Sequence, residues 1–241
     1  MRRQHTNSTA GAPNGKFGLN PACLLQGCPL RCALFLFSLQ FSLKLAAMRA
    51  TVLIATDVFG NTPAIASVCR QLQMPCLVLS PFEADFQVHT EQQAYQAFLA
   101  SGGVAAYAKK ILRCMEGQTQ LQHFIGFSVG ASAWWMESAA RAAQFRSATL
   151  FYGSRIRNYL DMVSHCPTHF IFAELEAAFQ VKQVVKSLQD RGHEAEIALG
   201  CRHGFMNPYS SGFSLKTQTR YLEILAAKVH AEVTPVQKLV A

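Results

Sequence analysis

What the chain lacks narrows its class before any motif is read. Charged residues make up only 15% of the sequence and apolar residues half of it. That is the reverse of a disordered composition and enough for one sizeable core. No run stays apolar for the ~20 residues that a membrane-spanning helix needs. The nearest, ALFLFSLQFSLKLAA at 33–47, is broken by Gln40 and Lys44. A long polar stretch precedes it, which does not suit a secretory signal either, so the pattern argues against membrane attachment. No Gly-x-Gly-x-x-Gly follows the first strand-like run, which removes the main support for a dinucleotide site. The cysteines, at 23, 28, 32, 69, 76, 114, 166 and 201, form no paired Cys-x-x-Cys or His-x-x-x-His half-site, so no metal is expected. Their scatter fits reduced thiols rather than a disulfide framework, and a reducing, cytoplasmic compartment is the expectation. Acidic residues are absent from the first 47 positions, where Arg2, Arg3, Lys16, Arg31 and Lys44 stand alone. The formal charge of +8 therefore shrinks to 17 basic against 14 acidic residues over the remainder, and nothing points to nucleic acid as a partner.

The chain divides at Met48. Residues 1–47 open on a Gly-, Pro-, Asn- and Ser-rich stretch without hydrophobic period and read as a disordered or non-native extension. Within it, Phe37, Leu39, Phe41, Leu43 and Leu45 alternate with polar residues, the period of a half-buried edge strand. Met48 immediately precedes the first clear strand, and translation is expected to begin there. Residues 48–241 read as one domain.

Over that domain, short apolar runs alternate with segments of helical period. TVLIAT, PCLVLS, HFIGFS, ATLFYG, HFIFAE and EAEIAL predict strands at 51–56, 75–80, 123–128, 148–153, 169–174 and 194–199. Helices are expected near 63–73, 91–116 (with a break at Gly102-Gly103), 130–144, 178–191 and 214–232. Such alternation implies right-handed crossovers and a mostly parallel α/β sheet with helices on both faces. Trp134 and Trp135, inside the third helix, read as packing residues.

One motif carries chemistry. Gly126-Phe127-Ser128-Val129-Gly130 lies between a strand and a helix. A serine at that sharp turn is presented above the sheet, beside the N–H groups and positive end of the following helix. A hydroxyl needs a base to become nucleophilic. Of the eight histidines, His203 is the candidate, because CRHGFMNP is a polar loop after the last strand. A carboxylate should orient that imidazole, and the loop after HFIFA offers Glu176, with Glu174 as its rival.

ATDVFGNTP at 55–63, GFSVGASAWW at 126–135, FYGSRI at 151–156 and RHGFMNP at 202–208 together resemble the dienelactone hydrolase family. The resemblance runs from Met48 to about residue 230. It implies an α/β-hydrolase fold and hydrolysis of carboxylic esters or lactones, with Ser128 where founding members often carry cysteine. It implies that Glu176 stands at the acid position and that Val58 and Val129 supply the oxyanion-hole N–H groups. It also implies that Asp57 contacts nucleophile or substrate, where founding members have a glutamate. Met206 and Asn207 replace those members' substrate-binding arginine. The expected partner is a small-molecule ester or lactone, with no cofactor. The competing expectation is the same fold serving as a catalytically weak or inactive ligand-binding protein.

Overall fold

In a computed structural model, residues 51–83, 90–116 and 118–231 are described. They fall within Leu43–Ala241, one of two units into which the chain divides, the other being Met1–Ser42. The expectations for residues 1–47, the alternating Phe37–Leu45 run among them, lie outside the described residues.

Six strands form one parallel sheet in the order β2-β1-β3-β4-β5-β6. They are β1 (Val52–Ala55), β2 (Cys76–Leu79), β3 (His123–Phe127), β4 (Ser147–Phe151), β5 (Thr168–Leu175) and β6 (Glu194–Arg202). The helices are α1 (Pro63–Leu72), α2 (Glu91–Ala100), α3 (Gly103–Met115), α4 (Val129–Ala133), α5 (Val181–Gln189) and α6 (Leu215–Ala231).

The inner strands β1, β3 and β4 and most of β5 are buried on both faces, which explains their near-continuous apolar sequence, whereas the edge strands β2 and β6 are only partly covered. The alternation of successive side chains sorts them into two layers. Leu53, Phe124, Leu150 and Phe170 pack with α3, α4 and α5. Val52, Ile54, Ile125 and Ile171 pack with α1 and α6.

Trp134 and Trp135 are both fully buried packing residues. Adjacent helical residues ordinarily face different directions, but α4 passes into a π-helical turn at Trp134–Ser138. Trp134 stacks on Phe124 at 4.8 Å. Trp135 meets Phe170 edge-on at 4.8 Å, and its Nε1–H donates to the Tyr159 carbonyl at 2.8 Å. Trp135→Ala is expected to cost about 3–5 kcal/mol of unfolding free energy, the usual loss for emptying so large a buried site. Urea denaturation followed by far-UV circular dichroism measures it.

Boundaries depart from the sequence expectation where single residues intervene. β4 stops at Phe151 because Tyr152 takes a left-handed φ of 39°. β6 runs on to Arg202, past Gly200 at φ 71°. The pairing of β5 and β6 shifts register there, where the Gly200 N–H donates to Glu174 Oε2 at 2.7 Å. The expected break at Gly102-Gly103 separates α2 from α3, both glycines having positive φ. No helix among the described residues is long and apolar enough to cross a membrane.

Strand order places the site. From β1 the chain first adds β2 on one side and then crosses back to lay β3 on the other. Connections that diverge in this way leave a crevice at the carboxyl ends of β1 and β3. The residues that follow directly are Asp57 to Phe59 after β1 and Ser128 after β3.

Candidate active site

Ser128 occupies the turn between β3 and α4 with φ 50° and ψ −108°, a strained conformation for a residue with a side chain. Its flanking glycines are explained by what surrounds them. A Cβ on Gly126 would come within 2.7 Å of Ala131 Cα, and one on Gly130 would run into the Ala55 carbonyl of β1. The turn is fixed from outside as well, since Ser128 N–H donates to the Phe151 carbonyl at 2.9 Å and Ser132 N–H to the Ser128 carbonyl at 3.0 Å. The strain is therefore held in place by the sheet and helix on either side.

His203 directly follows β6. Its Nε2 lies 2.8 Å from Ser128 Oγ. On the other side of the ring, Nδ1 lies 2.6 Å from Glu176 Oε1. A carboxylate only accepts, so Nδ1 carries the proton of the neutral ring, and the Nε2 lone pair faces the serine hydroxyl. The Glu176 side chain is 5% exposed against 33% for His203, so the carboxylate is shielded from competing water while the ring edge stays accessible. Glu174, the rival acid, points elsewhere and is bound to Gly200 N–H in the register shift. The structure thus brings Ser128, His203 and Glu176 into one chain of hydrogen bonds and leaves Glu174 outside it. The Tyr152 ring packs edge-on against the imidazole at 5.0 Å.

A cavity of about 290 Å³ opens over this row. Val58 and Val129 line it beside Ser128, and Glu91, Tyr95 and Arg155 stand on its other walls. That size suits a small molecule. Asp57 also borders it but is buried, and both its oxygens are engaged. Oδ1 accepts from Phe59 N–H at 3.0 Å, and Oδ2 accepts from Asn207 Nδ2–H at 2.7 Å. Burial pushes the Asp57 carboxyl above its usual range, and the bonds from Asn207 and Phe59 pull against that.

Two polar partners escaped the sequence reading. Asn207 was visible only as a departure from a family pattern, and its link to Asp57 spans 150 positions. Glu91 opens α2 and accepts from the hydroxyls of Ser210 and Ser211, each at 3.0 Å, in the loop that carries His203. An acid in the first turn of a helix is commonplace, so nothing in the sequence marked it. Among the described residues no cluster of His, Cys, Asp or Glu is arranged to hold a metal ion.

No family model matches the chain. It is 29% identical over 183 residues to the uncharacterized protein YczH of Bacillus subtilis (strain 168), covering 72% of this chain and 89% of that protein. Among solved structures it is similar to a dienelactone hydrolase from Anabaena variabilis ATCC 29413. There the TM-score is 0.52 at 16% identity, over 76% of this chain and 87% of that one. It is likewise similar to a protein of Klebsiella pneumoniae subsp. pneumoniae MGH 78578, provisionally described as a dienelactone hydrolase. That match has a TM-score of 0.55 at 16% identity, over 73% of this chain and 84% of the other. The fold is the α/β-hydrolase fold of dienelactone hydrolase structures.

Proposed function

We propose that the protein is a serine hydrolase that cleaves carboxylic esters or lactones through an acyl-serine intermediate. The observation that carries this reading is the unbroken row from Ser128 Oγ through the His203 imidazole to the Glu176 carboxylate, at 2.8 and 2.6 Å, under a small cavity at the sheet's crevice. The row supplies nucleophile, base and orienting acid in the order that acyl transfer uses.

Ser128 Oγ attacks the carbonyl carbon while its proton passes to His203 Nε2. The charge that develops on the carbonyl oxygen is received by the N–H groups of Val58 and Val129, which approach it from two different strand ends. Collapse of the tetrahedral adduct breaks the bond to the leaving oxygen, and that oxygen takes the proton back from Nε2. With an ester an alcohol departs; with a lactone the new hydroxyl stays attached to the acyl chain. Water then repeats the sequence against the acyl-serine and releases the acid. Glu176 accepts the hydrogen bond from Nδ1–H throughout and stabilises the imidazolium formed at each transfer.

A panel of aryl esters and small lactones, followed by release of phenol or of titratable acid, tests the reading. Turnover that saturates with substrate is expected. A protein that binds these compounds but converts none of them would instead be the ligand-binding alternative.

The two acids are separated by Glu176→Gln and Glu174→Gln, which keep volume and remove charge. Glu176→Gln should lower kcat by about a hundredfold or more, because the imidazole loses the group that fixes its tautomer. Glu174→Gln should leave kcat within a few-fold. Collapse in Glu174→Gln with normal turnover in Glu176→Gln would reverse the assignment.

A further inference from the structure

The proposed reaction needs two loops in register, and the sheet does not hold them so. Val58 follows β1, and His203 follows β6, which stands three strands away from β3, the neighbour of β1. No strand ladder joins β1 to β6. We propose that Asn207, acting through Asp57, is a positioning residue that locks the loop carrying His203 against the loop carrying Val58. This rests on the reading of the site given above. It recasts Asp57 as the anchor of a buried link rather than a group that contacts substrate.

Both members of the link are hubs of their own loops. Asp57 Oδ1 accepts from Phe59 N–H, and the Asp57 carbonyl accepts from Gly60 N–H at 3.1 Å. Val58 is thereby clasped between two bonds made by one residue. On the other side, Asn207 N–H donates to the Gly204 carbonyl at 2.9 Å, and the Asn207 carbonyl accepts from Ser210 N–H at 2.9 Å. Asn207 Oδ1 accepts from Tyr209 N–H at 3.0 Å. The remaining functional atoms, Asn207 Nδ2 and Asp57 Oδ2, meet at 2.7 Å. Each residue is only 4% exposed, so water is a poor substitute for either partner. Beside them the rings of Phe59 and Tyr209 lie 6.0 Å apart, so the two loops also touch on an apolar flank.

The pattern of donors and acceptors permits a test that separates the link from the charge. In Asp57→Asn the amide Oδ1 still accepts from Phe59 N–H, but its NH2 faces the NH2 of Asn207. In Asn207→Asp, two carboxylates face each other. In the double variant Asp57→Asn/Asn207→Asp every bond can re-form with the central donor and acceptor exchanged, and the negative charge moves to the other loop. Per active site titrated with a fluorophosphonate, each single variant is expected to lose about tenfold to a hundredfold in kcat with KM within about threefold. A displacement of an ångström at a reacting group costs that much. The double variant should return to within about threefold of the parent.

The downfield proton resonance of His203 Nδ1–H, assigned by its absence in His203→Ala, gives a readout that needs no turnover. It should shift or broaden in the singles and recover in the double. Asn207→Ala, which introduces no new charge, covers the case in which Asn207→Asp fails to fold. Normal kcat and an unmoved resonance in Asn207→Ala would overturn the proposal. So would a double variant as impaired as Asp57→Asn, which would assign the role to the charge on Asp57. A parent protein without turnover, whose resonance moves in the singles and returns in the double, would contradict the hydrolase reading and leave the link standing.

Discussion

Replacing Ser128 with alanine should abolish ester and lactone hydrolysis while the melting temperature stays close to that of the parent. The substitution removes one oxygen from a residue whose backbone is held by the Phe151 carbonyl and by Ser132 N–H, and neither bond involves the side chain. The left-handed φ of 50° is as strained for alanine as for serine, so the elbow should survive. Without the oxygen no acyl-enzyme can form, and rate enhancement falls to what a preorganised oxyanion site gives a direct attack by water, a loss on the order of 10⁶-fold. Initial rates on the best substrate, with thermal melts of the same preparations, measure both halves. Turnover in Ser128→Ala above about one per cent of the parent would mean that another group attacks the carbonyl.

His203→Ala is expected to fall by about 10³-fold or more in kcat, with substrate binding far less affected. Its imidazole is the single base within hydrogen-bond distance of Ser128 Oγ among the described contacts. Removing it leaves the hydroxyl protonated but the pocket otherwise lined as before. A ring lost from the packing against Tyr152 should be felt locally, so near-normal turnover could arise only from a second base. Of the remaining described histidines, His123 is buried against Ser147 at 3.0 Å and His169 lies beside Glu194 and Glu196. Both sit at the amino ends of their strands, opposite the edge that bears Ser128. Steady-state kinetics on His203→Ala beside the corresponding changes at His123 and His169 decides the matter.

These expectations rest on features of unequal legibility. The sheet could be read directly, because its inner strands are buried on both faces and apolar throughout, and the helices between them keep their own period. TVLIAT, PCLVLS and HFIGFS all lie in the sheet, with ends displaced by a residue or so. Gly126 and Gly130 could be read because the closeness of β1 and α4 leaves no room for a Cβ, a constraint that shows in sequence as glycine. His203 is legible because its polar loop directly follows the last strand. The choice between Glu174 and Glu176 was not decidable from spacing. It depends on the register shift between β5 and β6, which turns Glu174 toward Gly200 and leaves Glu176 for the imidazole. No local pattern encodes a register shift that two strands make together. The Asp57–Asn207 contact is invisible for the same reason, since two ordinary polar residues 150 positions apart carry no mark of being neighbours.

The proposed function turns on Ser128 being an activated nucleophile that faces an oxyanion hole. A fluorophosphonate reports both properties at once, because phosphonylation needs a deprotonated hydroxyl and donors for the phosphoryl oxygen. Treating the folded protein with an alkyl fluorophosphonate and mapping the adduct by peptide mass spectrometry is therefore the most direct test. A single phosphonyl group is expected on the peptide containing Ser128, absent from Ser128→Ala and much slower to form in His203→Ala. A folded protein that stays unmodified, or that takes the label on another residue, would contradict it.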